Sequence, residues 1–392
     1  KNVKRIRFGF TNTDPGNRTM HLSEVAFYHY DSLANDIEAL FTNDKHIALC
    51  DGVTKETVDK LKARAEAVDS ESGEIHPDSA SLLLVLEDAY ALLDGQLDQE
   101  IIDINNKITA KADDHLNPEK DFVYSLNDFQ PLGVAAQAGE ALNVYVGAKD
   151  KKQGASTNLK LVFTQNYGES AQWQKEVALK VGPNEITVPA VSNRASEDGG
   201  AVYVRYTGNS GAEEYSVRVT GGTKIPVLDV SGKTGEARTQ AIEAYVQKLE
   251  AYTKDLEQKH DEAGKDKKSV YKDSYNAQTC VLNVTDIVMD GMMYSVPADV
   301  VWTAIQANPA ITLTNAIDAM EQELELLYQH KGLHKNTTSG TDRYPAQRLN
   351  IRYHKMKEGV FMYAGGQRIG VGYDIAKTLS TMTPVNVDEQ GY

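Results

Sequence analysis

Apolar and polar positions along the chain fall into four stretches of different period. Residues 1–30 alternate, in VKRIRFGF and again in HLSEVAFYHY, around the turn-rich TNTDPGNRT. Such alternation predicts two strands closing a β-sandwich. From Leu33 the spacing lengthens to three and four in LANDIEALF, VTKETVDKLKARAEAV and SASLLLVLEDAYALLDGQLDQEIIDINNKI. These segments predict helices, with Thr54 (followed by Glu56 and Thr57) at one start and Pro77-Asp78-Ser79 at another. The stretch reads as a small helical bundle acting as a spacer.

Between Asp121 and Ile225 the period returns to two. ALNVYVGA, LKLVFTQN, NEITVPAV, GAVYVRYTG and EYSVRVTGG are short strands separated by Gly, Asn, Ser and Pro turns, the signature of a sandwich or jelly roll. Trp173, Tyr203, Tyr206 and Tyr215 in this stretch are expected to pack on a sheet face, with a sugar platform as the alternative.

The last stretch mixes both periods. Over Thr234–Glu262, Ile242, Tyr245, Val246, Leu249, Tyr252 and Leu256 share one helical face. Cys280–Asp290 predicts a central strand, Pro297–Ile305 and Leu313–Tyr328 two helices, and Arg348–Tyr353 another strand. Leu324, Leu327 and Tyr328 form the inward end of the second helix. Phe361–Asp374 (FMYAGGQRIGVGYD) predicts a tight hairpin turning at Gly365-Gly366. Gly370 and Gly372 leave little bulk on its returning strand, which lets a backbone or ligand approach. The fold class is therefore multidomain α+β.

Composition narrows the partners. The 392 residues are 41% hydrophobic and 25% charged, which suits packed domains, and the net charge is −15. That balance argues against a nucleic-acid or anionic-membrane partner, because phosphate binding needs a basic surface. No apolar run is long enough to span a bilayer. Cys50 and Cys280, the only cysteines, are far apart and read as buried thiols rather than a metal knot or disulfide framework. A leader peptide, if there is one, precedes Lys1.

Motifs for chemistry are sparse. No His-Glu-x-x-His occurs. His330 and His334 have the four-residue spacing, but Gly332 lies between them past a helix end, so a loop is expected. His354 and Glu358 read as surface. There is no Gly-x-Ser-x-Gly elbow. The glycines at 365, 366, 370 and 372 lack the Lys-Ser/Thr and following helix of a phosphate loop. Asn17, Asn283 and Asn336 sit in glycan-acceptor triplets, which are frequent by chance. Composition and motifs alone give a β-rich then α/β chain of extracellular style, with no named activity.

Several segments in order do resemble one family, the M60 (enhancin-like) zinc metallopeptidases. They are FQPLGVAAQAGEALNVYVG (Phe129–Gly147), VGPNEITVP (Val181–Pro189), GGAVYVRYTG (Gly199–Gly208), VPADVVWTAI (Val296–Ile305), the helix up to Tyr328, and MYAGGQRIGVGY (Met362–Tyr373). With the SEVAFY strand, which resembles the close of a galactose-binding-like carbohydrate-binding module, and the helical period that follows it, the chain divides into the end of a galactose-binding-like β-sandwich (1–31) and a helical spacer module (32–118). The M60 resemblance adds a β-sandwich or jelly-roll accessory domain (119–226) and the amino-terminal part of a gluzincin-like catalytic domain (227–392). It implies a secreted or bacterial cell-surface enzyme that cuts O-glycosylated, mucin-type proteins beside a glycosylated Ser or Thr. It also implies zinc held by a His-Glu-x-x-His and a downstream Glu, expected after Tyr392, so that these 392 residues alone are inactive. Substrate contact is expected at the hairpin, through Tyr363, Gly365, Gly366, Arg368, Gly370 and Tyr373. The competing reading is a non-catalytic carbohydrate-binding or adhesin segment.

Overall fold

A computed structural model describes residues 32–68, 73–98, 100–109, 127–149, 151–164, 174–192, 197–262, 282–307, 313–354, 362–365 and 368–372. The strands expected in residues 1–31 lie outside them. Helices α1 (Leu33–Glu38), α2 (Lys55–Glu66) and α3 (Ser79–Leu93) bury Leu33, Ile37, Val58, Leu82, Val85 and Leu86 against one another. Thr54 caps α2 as expected, its hydroxyl accepting from the Thr57 N–H at 3.3 Å.

The third helix is shorter than its periodicity predicts. Gly95 adopts φ +66° and the Gln96 N–H donates to the Ala91 carbonyl at 2.7 Å, a left-handed cap that ends the helix. The following Ile102–Asp103 (β1) is a strand, paired antiparallel with Ser216–Thr220 (β10). A short apolar run such as EIIDI is compatible with either period, and pairing with β10 decides it.

The sandwich comprises β2 (Phe129–Ala136), β3 (Ala141–Gly147), β4 (Ser156–Thr164), β5 (Gln174–Lys180), β6 (Gly182–Thr187), β9 (Gly200–Tyr206) and β11 (Thr223–Lys224) with β1 and β10. One sheet has the order β1-β10-β3-β6 and the other β11-β2-β9-β4-β5, while Val191–Ser192 (β7) and Glu197–Asp198 (β8) pair separately. Leu142, Val144, Val146, Leu161, Phe163, Val202 and Val217 fill the space between the two sheets. Alternating strand positions place these residues on the two inner faces.

The helical module is docked on this sandwich rather than strung beside it. Arg218 of β10, 3% exposed, reaches Asp88 of α3 at 2.5 Å and lies over the Tyr145 ring. His46 is fully buried, stacked on Phe41 at 3.9 Å and near Tyr145 at 4.7 Å, with its Nε2 2.8 Å from Glu38. Glu38 also accepts from the Gln153 amide. Hydrogen bonds from His46 and Gln153 outweigh burial and hold the Glu38 carboxyl below its ordinary range.

A mixed sheet follows, with the order β12 (Val227–Asp229), β13 (Thr285–Val288), β14 (Met292–Val296), β15 (Leu349–His354), β17 (Arg368–Gly372) and β16 (Met362–Gly365). Helices α4 (Gly235–Glu262), α5 (Ala298–Ala307) and α6 (Leu313–His330) accompany it. Ile287, Met289 and Val296 pack toward Tyr245, Leu249, Val301 and Ile317 on the helix side. Val284, Val288 and Met293 pack on the other side against Phe129, Val162, Ala201 and Tyr203 of the sandwich. A sheet covered on both faces explains why every residue of β13, Thr285 and Asp286 included, is buried.

Candidate functional site

The antiparallel pairing of the expected hairpin is present, with Gly365 still in the strand, where it pairs with Arg368, and Tyr363 paired with Gly370. Gly366 and Tyr373 lie outside the described residues. Topology then separates the remaining candidates. β17, carrying Arg368 and Gly370, is an inner strand between β15 and β16, whereas β16, carrying Tyr363 and Gly365, is the outermost strand among the described residues. The glycine-bearing return strand is therefore already paired on both sides. Backbone groups for an added strand are offered by β16, and edge strands are where extended peptides add.

One register row crosses the sheet from Asp286 to Ser295, Arg352, Gly370 and Tyr363. Its inner members form a buried polar network against the sandwich. Asp286, 1% exposed, accepts from Ser295 Oγ at 2.6 Å and from Tyr203 Oη at 2.9 Å. Arg352, fully buried, lies over the Tyr203 ring with 4.8 Å to the centroid. It donates to Asn350 at 3.0 Å and to Thr164 of β4 at 3.1 Å. Burial pushes the Asp286 carboxyl up, and the Arg352 charge opposes that push. These residues were not singled out from the sequence. The available signal was an Asp and an Arg at strand positions whose neighbours are apolar.

Asp299, in the first turn of α5, is a second perturbed carboxyl. It accepts from the Asn283 amide at 2.7 Å and its own N–H donates back to Asn283 Oδ1 at 3.3 Å. Burial outweighs these bonds and pushes its pKa from 3.8 up to about 7. The unfolded chain thus releases this proton at lower pH than the folded one, so ionisation of Asp299 lowers stability as pH rises through that interval. In Asp299→Asn the amide oxygen can still accept from Asn283. The variant should gain stability over the parent progressively between pH 4 and about 7 in denaturant titrations. A pH-independent difference would refute this assignment.

A cleft opens on the helix side, where α6 meets the β13–β14 turn and the loop before β15. Its cavity of about 720 Å³ is bounded by Asp290, Gly291, Leu324, Glu325, Leu326, Tyr344 and Pro345, with Asp318 and Glu321 above. Arg238 of α4 bridges Asp318 and Glu321 at 2.8 and 2.9 Å. Tyr344 packs on Tyr328 at 4.6 Å between centroids. A second cavity of about 540 Å³ continues past Glu325, Lys335 and Tyr344 toward Thr337 and Thr338.

Other sequence candidates resolve simply. Tyr203, Tyr206 and Tyr215 are 0%, 2% and 4% exposed, so they pack in the core and present no sugar platform; Trp173 lies outside the described residues. His330 ends α6, and His334 is in the expected loop, its N–H donating to the Asp342 carbonyl. Asn283 is fully buried on Asp299 and is no glycan acceptor, while Asn336 is exposed. Among the described residues no three His, Cys, Asp or Glu side chains gather into a metal site, and no helix is long and apolar enough to cross a membrane.

No protein-family model and no curated protein matches the sequence. Solved structures do match the fold. ZmpB of Clostridium perfringens, solved with two CBM32 domains and its M60 catalytic domain, superposes with a TM-score of 0.67 at 19% identity, over 91% of this chain and 33% of that one. A metallopeptidase from Bacteroides thetaiotaomicron gives 0.54 at 15% identity, over 94% of this chain and 51% of that one. The M60 catalytic domain of C. perfringens ZmpC, solved in complex with the sialyl T antigen, gives 0.54 at 17% identity, over 72% and 49%. The chain thus has the fold found in M60 metallopeptidase structures and spans a third to about half of their lengths.

Proposed function

We propose that this chain, sharing the M60 fold, belongs to a secreted or cell-surface zinc metallopeptidase that cuts O-glycosylated, mucin-like proteins beside a glycosylated Ser or Thr. The observation that carries the reading is the fold likeness over 91% of the chain. The sialyl T antigen bound by ZmpC supports a glycosylated substrate. Within these 392 residues the role is to position substrate. β16 offers an extended polypeptide a backbone edge.

A metal centre is implied by the fold, and the residues present do not fit one. The sequence has no His-Glu-x-x-His and the described residues form no metal-binding cluster. In this proposal the zinc ligands and the base that activates water come from sequence outside residues 1–392.

The test compares a longer protein containing this chain and a His-Glu-x-x-His with the 392 residues alone. The longer protein should cleave an O-glycosylated peptide, should spare the unglycosylated peptide, and should lose activity to a zinc chelator. The 392 residues alone should cleave neither peptide. Chelator-insensitive cleavage, equal cleavage of both peptides, or turnover by the short chain would overturn the reading.

A further inference from the structure

We infer that the cleft beside α6 is a docking site for a basic polypeptide segment that carries bulky apolar side chains. The inference rests on the cleft itself and does not depend on the peptidase reading. Its floor is apolar, lined by Leu324, Tyr344 and Pro345, and Leu326 stands 65% exposed beside them. A leucine so exposed on an otherwise well-segregated helix marks a surface that gains by being covered.

The rim selects the sign of the occupant. The Arg238 guanidinium already serves Asp318 and Glu321. Asp290 accepts a backbone N–H from Gly232 at 2.8 Å and also acts on the Arg348 guanidinium, while Glu325 accepts the Gln329 amide at 3.2 Å. Lys335 lines both cavities. The four carboxylates Asp290, Asp318, Glu321 and Glu325 still outnumber these cations and Arg238, so the rim keeps an acidic excess that favours ammonium and guanidinium groups over phosphate or a sialylated glycan.

The shape selects a polymer. The first cavity alone is within the range of small-molecule sites, about 300–1,000 Å³. The second joins it through Glu325 and Tyr344 and prolongs it along the loop, giving a track for an extended segment. Apolar side chains would seat over Leu326 and the Tyr344 ring, with flanking Lys or Arg groups beside Asp290 and Glu325.

The experiment is fluorescence anisotropy of the 392-residue chain with a labelled peptide of about nine residues, Arg and Leu in a Gly-Ser background, set against the same peptide with Glu for Arg. The basic peptide should bind and should weaken about tenfold between low and high salt, while the acidic one should not bind. Leu326→Ser and Glu325→Gln, both at accessible positions, should each weaken binding by about three- to tenfold with unchanged thermal melts. Glu250→Gln, on the exposed side of α4, controls for net charge and should bind as the parent does. Equal binding of both peptides, cleft variants that bind like the parent, or binding of a neutral oligosaccharide in place of the basic peptide would overturn the inference.

Discussion

Arg352→Met is expected to lower unfolding stability by about 3–5 kcal/mol, the cost of stranding a buried charge. Asp286 is fully enclosed between the mixed sheet and the sandwich, and its other partners, Tyr203 and Ser295, are neutral hydroxyls. With the guanidinium gone, burial is opposed only by the Ser295 and Tyr203 hydroxyls, and the balance moves toward the protonated carboxyl. The arginine also supplies the only described link of its kind between β15 and β4, through Thr164. Combining Arg352→Met with Asp286→Asn should restore much of the loss, because removing both charges together leaves neither unbalanced. Urea unfolding midpoints with unchanged slopes would measure both effects. A single variant within about 1 kcal/mol of the parent would show that the network contributes little. The consequence reaches the candidate site, since Arg352 shares a register row with Gly370 and Tyr363.

Gly200→Ala should cost about 1–3 kcal/mol by overpacking a sheet that cannot open. A Cβ at Gly200 would stand 2.3 Å from the Thr164 carbonyl oxygen, and one at Gly199 only 1.9 Å from that of Ala136. Both obstacles are backbone, so no side chain can turn aside. β9 is paired with β2 on one side and β4 on the other, which prevents the strand from shifting in its plane. Thermal and urea unfolding would read the loss, and a midpoint equal to the parent's would refute the steric account. These glycines belong to GGAVYVRYTG, one of the segments by which the sequence resembles the M60 family. Their physical reason is the close approach of neighbouring backbones, visible only once the strand order is known.

Much of the architecture was legible beforehand where a strong period repeats over many residues. α4 buries Ile242, Tyr245, Leu249 and Leu256, and α6 buries Leu324 and Tyr328, on the faces their spacing indicates. The sandwich strands and the antiparallel pairing of the hairpin strands also follow from alternation and turn residues. Short or doubly buried segments were harder. EIIDI carried a helical pattern into what became β1, because five residues cannot distinguish the two periods.

By itself the sequence determined the kinds of elements, their order, and the presence of a hairpin with a bare glycine strand. Tertiary structure decided which hairpin strand is the edge, and it chose β16 over the glycine-bearing β17. It also decided that Asp286, Arg352 and Tyr203 meet, that the tyrosines of the sandwich are core, and that acidic residues from the β13–β14 turn and α6 converge on one cleft. The reason is physical. Periodicity reports which face of a single element is buried, whereas an edge, a buried polar network and a cleft are relations between elements far apart in the chain, fixed only by how sheets and helices stack.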